Sequence, residues 1–303
     1  MEKNSADMKI WGMSYGVLGD LIMGLPMLNY FEKKYPGSYK FWVIEKKCSV
    51  GAQLYFNHPL IDRIKITDER NGFGRIDKQL MEKCDIIAEC PPAGKRGRHD
   101  WYNYESCVEH TAILGGIEDI KEVLTEDEMK PKLYKWFDAG APQVTSTYAK
   151  KANISDIIYD NNIAIWPFAG SAHRSPSAHW WNVLIDGLIL KGYTVSHYGM
   201  PWDPNLSNLK GYQTFPDLSY FDQVRSALAS RLVIGTDSGA MWVMGAYSHP
   251  AINLLTNWLP DHKSNLLALA PVNDNGQTFH EMGSCDNISI RQVTNNIMER
   301  VPL

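Results

Sequence analysis

The sequence predicts an α/β protein built from doubly wound parallel sheets, with two domains in its 303 residues. Short apolar, β-branched runs alternate with stretches of helical spacing, and this alternation is typical of parallel sheets. The composition then shifts over residues 138–155, which contain Gly, Pro and several Ser and Thr. We therefore predict an N-terminal domain at residues 1–155 and a C-terminal domain at residues 156–303.

The N-terminal domain opens with a strand, a glycine-bearing loop and a helix. Residues 8–14 are apolar enough for the strand, and Leu21, Leu25 and Leu28 are spaced for burial along a helix over residues 21–34. Further strands are predicted at residues 41–44, 61–66 and 84–89.

Asp20 is the candidate catalytic residue of this domain. It follows Gly19 in the loop after the first strand, which places its carboxylate at the edge of the sheet where such folds bind ligands. A carboxylate there can act as a general base. It can equally cap the following helix.

A basic loop follows the predicted strand at residues 84–89. Lys95, Arg96, Arg98 and His99 stand among prolines and glycines that break regular structure. Such a cluster can bind a phosphate-bearing acceptor. The alternative is an ordinary solvated surface loop.

The C-terminal domain repeats the alternation of strands and helices. Strands are predicted at residues 163–166, 193–198, 232–234 and 251–254, and helices at residues 180–191, 219–230 and 290–301. No internal sequence repeat accompanies this pattern.

Two strand-end loops of this domain are candidate phosphate sites. After the strand at 232–234, the turn places Asp237, Ser238 and the amide of Gly239 at a helix N-terminus, where an anion is favoured. An ordinary helix cap is the alternative. After the strand at 163–166, Ser171 and Arg174 lie in a loop of small residues that lets a phosphate approach.

Asp203 is a weaker candidate. It follows the strand at residues 193–198, where a carboxylate often binds the hydroxyls of a ribose. A role in a turn explains its position equally well.

Composition excludes several classes of protein. The content of 44% apolar and 21% charged residues is that of a globular protein, and a net charge of −4 gives no general attraction to nucleic acid or anionic membranes. The five cysteines lack CxxC spacing and the histidines lack metal-ligand spacing, which predicts free thiols, a reducing compartment and no bound metal. We predict a cytoplasmic protein, with peripheral contact with the inner membrane left open.

Three motifs resemble those of the bacterial heptosyltransferases. These are GTDSGAMW from Gly235, GDLIMGLPMLNYFEKKYPG from Gly19, and HPLIDRIKI from His58. Trp242 stands where the family usually has His, and Arg174 where it commonly has Lys. The resemblance implies the GT-B fold, which consists of two facing Rossmann-like domains, often with a last helix that crosses back to the first.

The resemblance also implies a metal-independent, inverting glycosyltransferase with no cofactor besides its nucleotide-sugar substrate. Asp20 would be the general base, and Ser171, Arg174, Asp237, Ser238, Gly239 and Asp203 would bind the donor. The acceptor would be a phosphorylated glycan of the lipopolysaccharide type, bound by the basic loop. Two alternatives are a phage-type DNA glycosyltransferase, which would need a basic groove, and a non-catalytic protein that binds nucleotide sugars.

Overall fold

The structure is a computed structural model that describes residues 4–14, 18–45, 58–67, 79, 81–90, 107–133, 161–170, 172–256, 266, 271 and 273–303. The chain divides into two compact units, Met1–Tyr134 and Lys135–Leu303. The domain boundary near residue 155 lies outside the described residues and stays a prediction.

The first unit contains a parallel sheet in the order β3-β2-β1-β4. Its strands are β1 (Lys9–Ser14), β2 (Tyr39–Glu45), β3 (Arg63–Thr67) and β4 (Ile86–Cys90). Its helices are α1 (Leu18–Met23), α2 (Pro26–Lys34), α3 (Cys107–Leu114) and α4 (Ile120–Val123). Gly12 pairs with Trp42 of the neighbouring strand, and a Cβ at Gly12 would overlap the buried indole ring. Glycine at this position therefore lets the largest side chain of the core lie against β1.

The second unit contains a parallel sheet in the order β7-β6-β5-β8-β9-β10. Its strands are β5 (Asn162–Trp166), β6 (Thr194–His197), β7 (Tyr212–Thr214), β8 (Leu232–Thr236), β9 (Ala251–Thr256) and β10 (Gly276–Glu281). Its helices are α5 (Ala178–Leu190), α6 (Tyr220–Leu228), α7 (Gly239–Ala246) and α8 (Ile290–Arg300). Counted within the unit, the order is 3-2-1-4-5-6, which is that of the Rossmann fold.

The core of the second unit explains its continuous apolar runs. Every residue of β5, β8 and β9 is buried, as expected for parallel strands covered on both faces. Trp181 and Leu184 of α5 pack into this core together with Val293 and Ile297 of α8. The final helix, for which the resemblance implies a return to the first domain, thus packs in the core of the second unit.

The helix predicted over residues 21–34 is wrong in one respect, because the structure has two helices there. Helix α1 ends at Met23, and α2 begins with Pro26 at its first position. Proline has no N–H to donate and its ring would clash with the carbonyl four residues earlier, so a continuous helix is disfavoured at this point. At the start of a new helix the same residue is well tolerated.

Three elements were not predicted. They are α3 in the first unit and the strands β7 and β10 in the second. Both strands lie at the edges of the sheet, where none of their residues is fully buried and no apolar run is needed. The two cysteines whose side chains are described as free thiols are Cys84 and Cys285.

Candidate active site

The strand order of the second sheet locates a ligand crevice. The chain winds outward from β5 through β6 and β7 on one side, and from β8 through β9 and β10 on the other. The loops that follow β5 and β8 leave in opposite directions, and the gap between them is where doubly wound sheets bind ligands. Because Trp166 pairs with Gly235 at the ends of these strands, the two predicted phosphate loops begin side by side.

An ion pair connects these two loops. Arg174 Nη1 donates to Asp237 Oδ2 at 2.6 Å. The Asp237 side chain is only 9% exposed, whereas that of Arg174 is 29% exposed. Burial raises the pKa of the Asp237 carboxyl, although the adjacent guanidinium acts in the opposite direction. A guanidinium carries five N–H donors, so the bond to Asp237 leaves others for an anion.

The loop that carries Arg174 is held by side chains of the same unit. Trp181 Nε1 donates to the carbonyl of Pro167 at 3.0 Å, and the Ala169 amide donates to Ser175 Oγ at 2.8 Å. These bonds fix both ends of the loop before any ligand arrives. Arg174 is therefore presented by a preorganised backbone, which a precise binding site requires.

The Ser238 hydroxyl lies at the start of α7 and has no protein partner among the described residues. Ser238 is the N-cap residue, yet its side chain makes no cap hydrogen bond and its Oγ is buried. The other serine N-caps of the second unit each accept an amide hydrogen bond; they are Ser177, Ser219, Ser284 and Ser289. A buried hydroxyl without a partner is uncommon, and a ligand at the helix N-terminus would supply one.

Helix α7 is anchored behind this site by buried side chains. A Cβ on Gly235 would overlap the Met241 side chain, so glycine allows the helix to approach β8 closely. Trp242, which stands where the resemblance expects His, is 4% exposed. Its indole therefore contributes to the packing of α7.

Asp203 lies in a turn and also borders a cavity. Its Oδ2 accepts the Met200 amide at 2.7 Å, as the turn interpretation expects. Burial raises the pKa of its carboxyl. The cavity, about 250 Å³ in volume, lies beyond the ends of β6 and β7 and is lined by Asp203 and His197. Sequence analysis did not single out His197, whose only signal was its place at the end of a strand.

Asp20 lies within the first turn of α1, as its third residue, rather than at the cap. The simple helix-cap interpretation is therefore wrong in position, although a carboxylate in the first turn still interacts favourably with the helix dipole. The residue is 8% exposed. It follows β1, and β1 and β4 are the adjacent strands at which the order of the first sheet reverses.

Several predicted site residues lie outside the described part of the chain. They are Ser171 and the four residues of the basic loop, Lys95, Arg96, Arg98 and His99. The roles of these residues stay predictions. Within the described residues, no cluster of three or more His, Cys, Asp or Glu side chains could hold a metal ion. Across the same residues, no helix has the length and apolar character needed to cross a membrane.

Solved structures resemble the chain over nearly its whole length. The E. coli ADP-heptose LPS heptosyltransferase II gives a TM-score of 0.71 at 15% identity and covers 97% of this chain and 98% of that chain. The glycosyl transferase family 9 protein from Veillonella parvula DSM 2008 gives 0.70 at 15% identity, with 98% of each chain covered. E. coli heptosyltransferase WaaC with ADP gives 0.62 at 14% identity, with 97% and 100% covered.

At the level of sequence, neither a protein-family model nor a curated protein matches the chain. The structural likeness, together with two all-parallel sheets, confirms the predicted architecture. The chain therefore has the GT-B fold that the bacterial heptosyltransferases also have.

Proposed function

We propose that the protein is a glycosyltransferase that moves a sugar from a nucleotide-diphosphate sugar to an acceptor hydroxyl. The observation that carries this proposal is the crevice between β5 and β8. Arg174 there has N–H donors beyond the one bonded to Asp237, and the Ser238 hydroxyl at a helix N-terminus has no hydrogen-bond partner among the described residues. This combination suits a diphosphate.

In this proposal the diphosphate binds across the two loops of the crevice. Arg174 and the first-turn amides of α7 would stabilise the negative charge that develops as the glycosidic bond breaks. Asp237, as a carboxylate, would repel the diphosphate if it faced it alone, so its role is to hold the guanidinium at 2.6 Å. Ser171 and Gly239 complete the proposed diphosphate site, and Asp203 would bind the nucleoside.

Asp20 is the proposed general base. It would accept the proton of the acceptor hydroxyl while that oxygen attacks the anomeric carbon from the face opposite the leaving diphosphate. A single displacement of this kind inverts the anomer, and it needs neither a metal nor a cofactor. Its low exposure, 8%, supports the role because the proton transfer would take place away from bulk water.

The names of the neighbours suggest the substrates. They refer to ADP-heptose, ADP and lipopolysaccharide. We accordingly propose an ADP-linked, heptose-like donor and a phosphorylated lipopolysaccharide-type acceptor, with Lys95, Arg96, Arg98 and His99 contacting the acceptor phosphates.

A panel of nucleotide sugars tests the proposal without requiring an acceptor. A donor present at 100 times its dissociation constant should raise the free energy of unfolding by about 2.7 kcal/mol, and hence the melting temperature. The stabilising donor, incubated with lipopolysaccharide fragments, should then release its nucleoside diphosphate. If no donor stabilises the protein, the proposal is wrong. Stabilisation without release on any glycan or DNA acceptor would support the non-catalytic binding protein instead.

A further inference from the structure

A small cavity lies apart from the diphosphate loops, at the ends of the second and third strands of the Rossmann order. It has a volume of about 250 Å³ and is bordered by His197 and Thr214, the last residues of β6 and β7, and by Gly199 and Asp203. In folds of this order, the strand next to the first phosphate-binding strand ends close to the ribose of a bound nucleotide.

The protonation of His197 is fixed by its surroundings. The side chain is buried, and burial lowers its pKa to about 4, so the ring is neutral at pH 7. His197 Nδ1 lies 2.7 Å from the Tyr212 hydroxyl, whose oxygen already accepts the Leu206 amide at 3.1 Å. Among the described residues, His197 Nδ1 is the hydrogen-bond partner of the Tyr212 hydroxyl that can accept its proton. Because Nδ1 can accept only when the ring proton is on Nε2, we assign the proton to Nε2.

The Nε2 atom is buried, and it belongs to a residue that lines the cavity. It has no hydrogen-bond partner among the described residues. It lies 3.7 Å from the point that a Cβ on Gly199 would occupy, and Asp203 Oδ2 borders the same point. The imidazole nitrogen and the carboxylate oxygen thus lie close together at the wall of the cavity, and the absence of a side chain at Gly199 makes room for the carboxylate.

We propose that His197 determines specificity for a ribose hydroxyl: its Nε2–H donates to a hydroxyl of the nucleotide that in turn donates to Asp203. A hydroxyl both donates and accepts, so it satisfies both groups, whereas a deoxy ligand leaves the buried N–H unpaired. The inference rests on the proposed function, since it assumes a nucleotide donor. It adds a selective contact at the nucleoside end of that same site.

Calorimetric titration of ADP and UDP against their 2′-deoxy and 3′-deoxy forms tests the inference. For the better-binding nucleotide, the wild type should prefer the ribonucleotide over one deoxy form by at least about 10-fold. His197→Phe should reduce that preference to below about 3-fold, mainly by weakening the ribonucleotide. His249→Phe is the matched control, because His249 also has a buried, unpartnered Nε2 and a pKa lowered to about 4, yet does not border the cavity.

Two readouts keep the inference independent of how well His197→Phe folds. Nitrogen NMR of the wild-type imidazole should show the proton on Nε2, and a proton on Nδ1 would overturn the inference. Tyr212→Phe removes the bond that selects this tautomer and should lower the ribose preference while leaving the cavity in place.

Different binding results would overturn this inference and the proposed function. Equal affinity of the wild type for ribo and deoxy forms, with binding still lost in Arg174→Ala, would overturn only the assignment of His197. Failure of both ADP and UDP to bind the wild type would overturn the inference and the proposed function together.

Discussion

The two units share one topology but place different chemistry at their strand ends. The strand order 3-2-1-4 occurs in both, as β3-β2-β1-β4 and as β7-β6-β5-β8. At the ends of β5 and β8, the second unit has the Arg174 guanidinium and the Ser238 hydroxyl, which has no hydrogen-bond partner in the described part of the chain. After β1, the first unit instead has the buried carboxylate of Asp20.

This difference shows how far topology determines function. The winding of the sheet decides where a crevice opens, whereas the residues at the strand ends decide what binds there. A cation and a helix N-terminus attract an anion, while an acidic residue repels one and can accept a proton. We therefore propose donor binding for the second unit and proton transfer for the first.

The largest expected effect tests the role of the first unit. Asp20→Asn should lower turnover by roughly 10²–10⁴-fold, because the amide cannot accept the acceptor's proton. Nucleotide affinity should stay at the wild-type value, since the proposed diphosphate contacts belong to the other unit. Steady-state kinetics and calorimetry measure the two quantities.

Glu109→Gln is a matched control for this variant. Glu109 is the third residue of α3, as Asp20 is of α1, and both are 8% exposed. The Glu109→Gln protein should have the turnover of the wild type. Near-normal turnover of a well-folded Asp20→Asn protein would contradict the assignment of Asp20 as the base.

The basic loop of the first unit provides the next largest effect. Neutralising Lys95, Arg96 and Arg98 should raise the KM of the acceptor by roughly 10-fold or more and flatten the salt dependence of activity. The KM of the donor should not change. An acceptor KM equal to that of the wild type would make this loop an ordinary solvated surface.

A buried histidine in each unit should make the free energy of unfolding depend on pH. Burial lowers the pKa of His58 and of His197 from 6.5 to about 4. Between these values the unfolded chain binds protons that the native protein does not, so the free energy of unfolding should fall as the pH falls from 7 to 4. Each histidine contributes roughly 2 kcal/mol at most by pH 5.

Urea unfolding of His58→Phe and His197→Phe measures these contributions. Each variant should lose less stability than the wild type between pH 7 and pH 5. An unchanged pH dependence in both variants would mean that folding does not lower the pKa of these imidazoles.

The smallest expected effect comes from replacing serines at helix N-termini, and it distinguishes a serine that caps a helix from one that contacts a ligand. Ser219→Ala should lower the free energy of unfolding by about 1 kcal/mol, because Ser219 Oγ accepts the Asp222 amide at 3.2 Å. Ser238→Ala removes a hydroxyl that makes no such bond, so the stability of the free protein should not decrease. Its affinity for a nucleoside diphosphate should decrease by about 0.5–1.5 kcal/mol. If Ser238→Ala is destabilising and binds normally, Ser238 is only a cap.

The elements that could be predicted are those whose burial requires a continuous or periodic run of apolar residues in the sequence. Strands β5, β8 and β9 are buried on both faces and appear as continuous apolar runs. Strands β7 and β10 lie at the sheet edges and mix polar with apolar residues, so their sequences resemble loops. Strand order depends on which runs pair in three dimensions, and a single sequence does not contain that information.

The site could be predicted only residue by residue. The loops carrying Arg174 and Asp237 were recognisable, but their ion pair joins residues 63 positions apart. The contact of His197 with Tyr212 joins a predicted strand to one that was not predicted. The Ser238 hydroxyl is buried without a hydrogen-bond partner among the described residues, which depends on the groups packed around it. Such relations arise from packing and not from local spacing.

Calorimetric titration of ADP tests whether the second unit binds a nucleoside diphosphate through Arg174. Arg174→Ala should weaken binding by roughly 10- to 150-fold, which corresponds to the loss of ~1.5–3 kcal/mol for a charge-assisted hydrogen bond. Arg225→Ala, which removes the partner of Asp222 on α6 in the same unit, is the matched control and should bind ADP like the wild type. Equal ADP affinity in Arg174→Ala and Arg225→Ala would show that Arg174 does not bind the diphosphate.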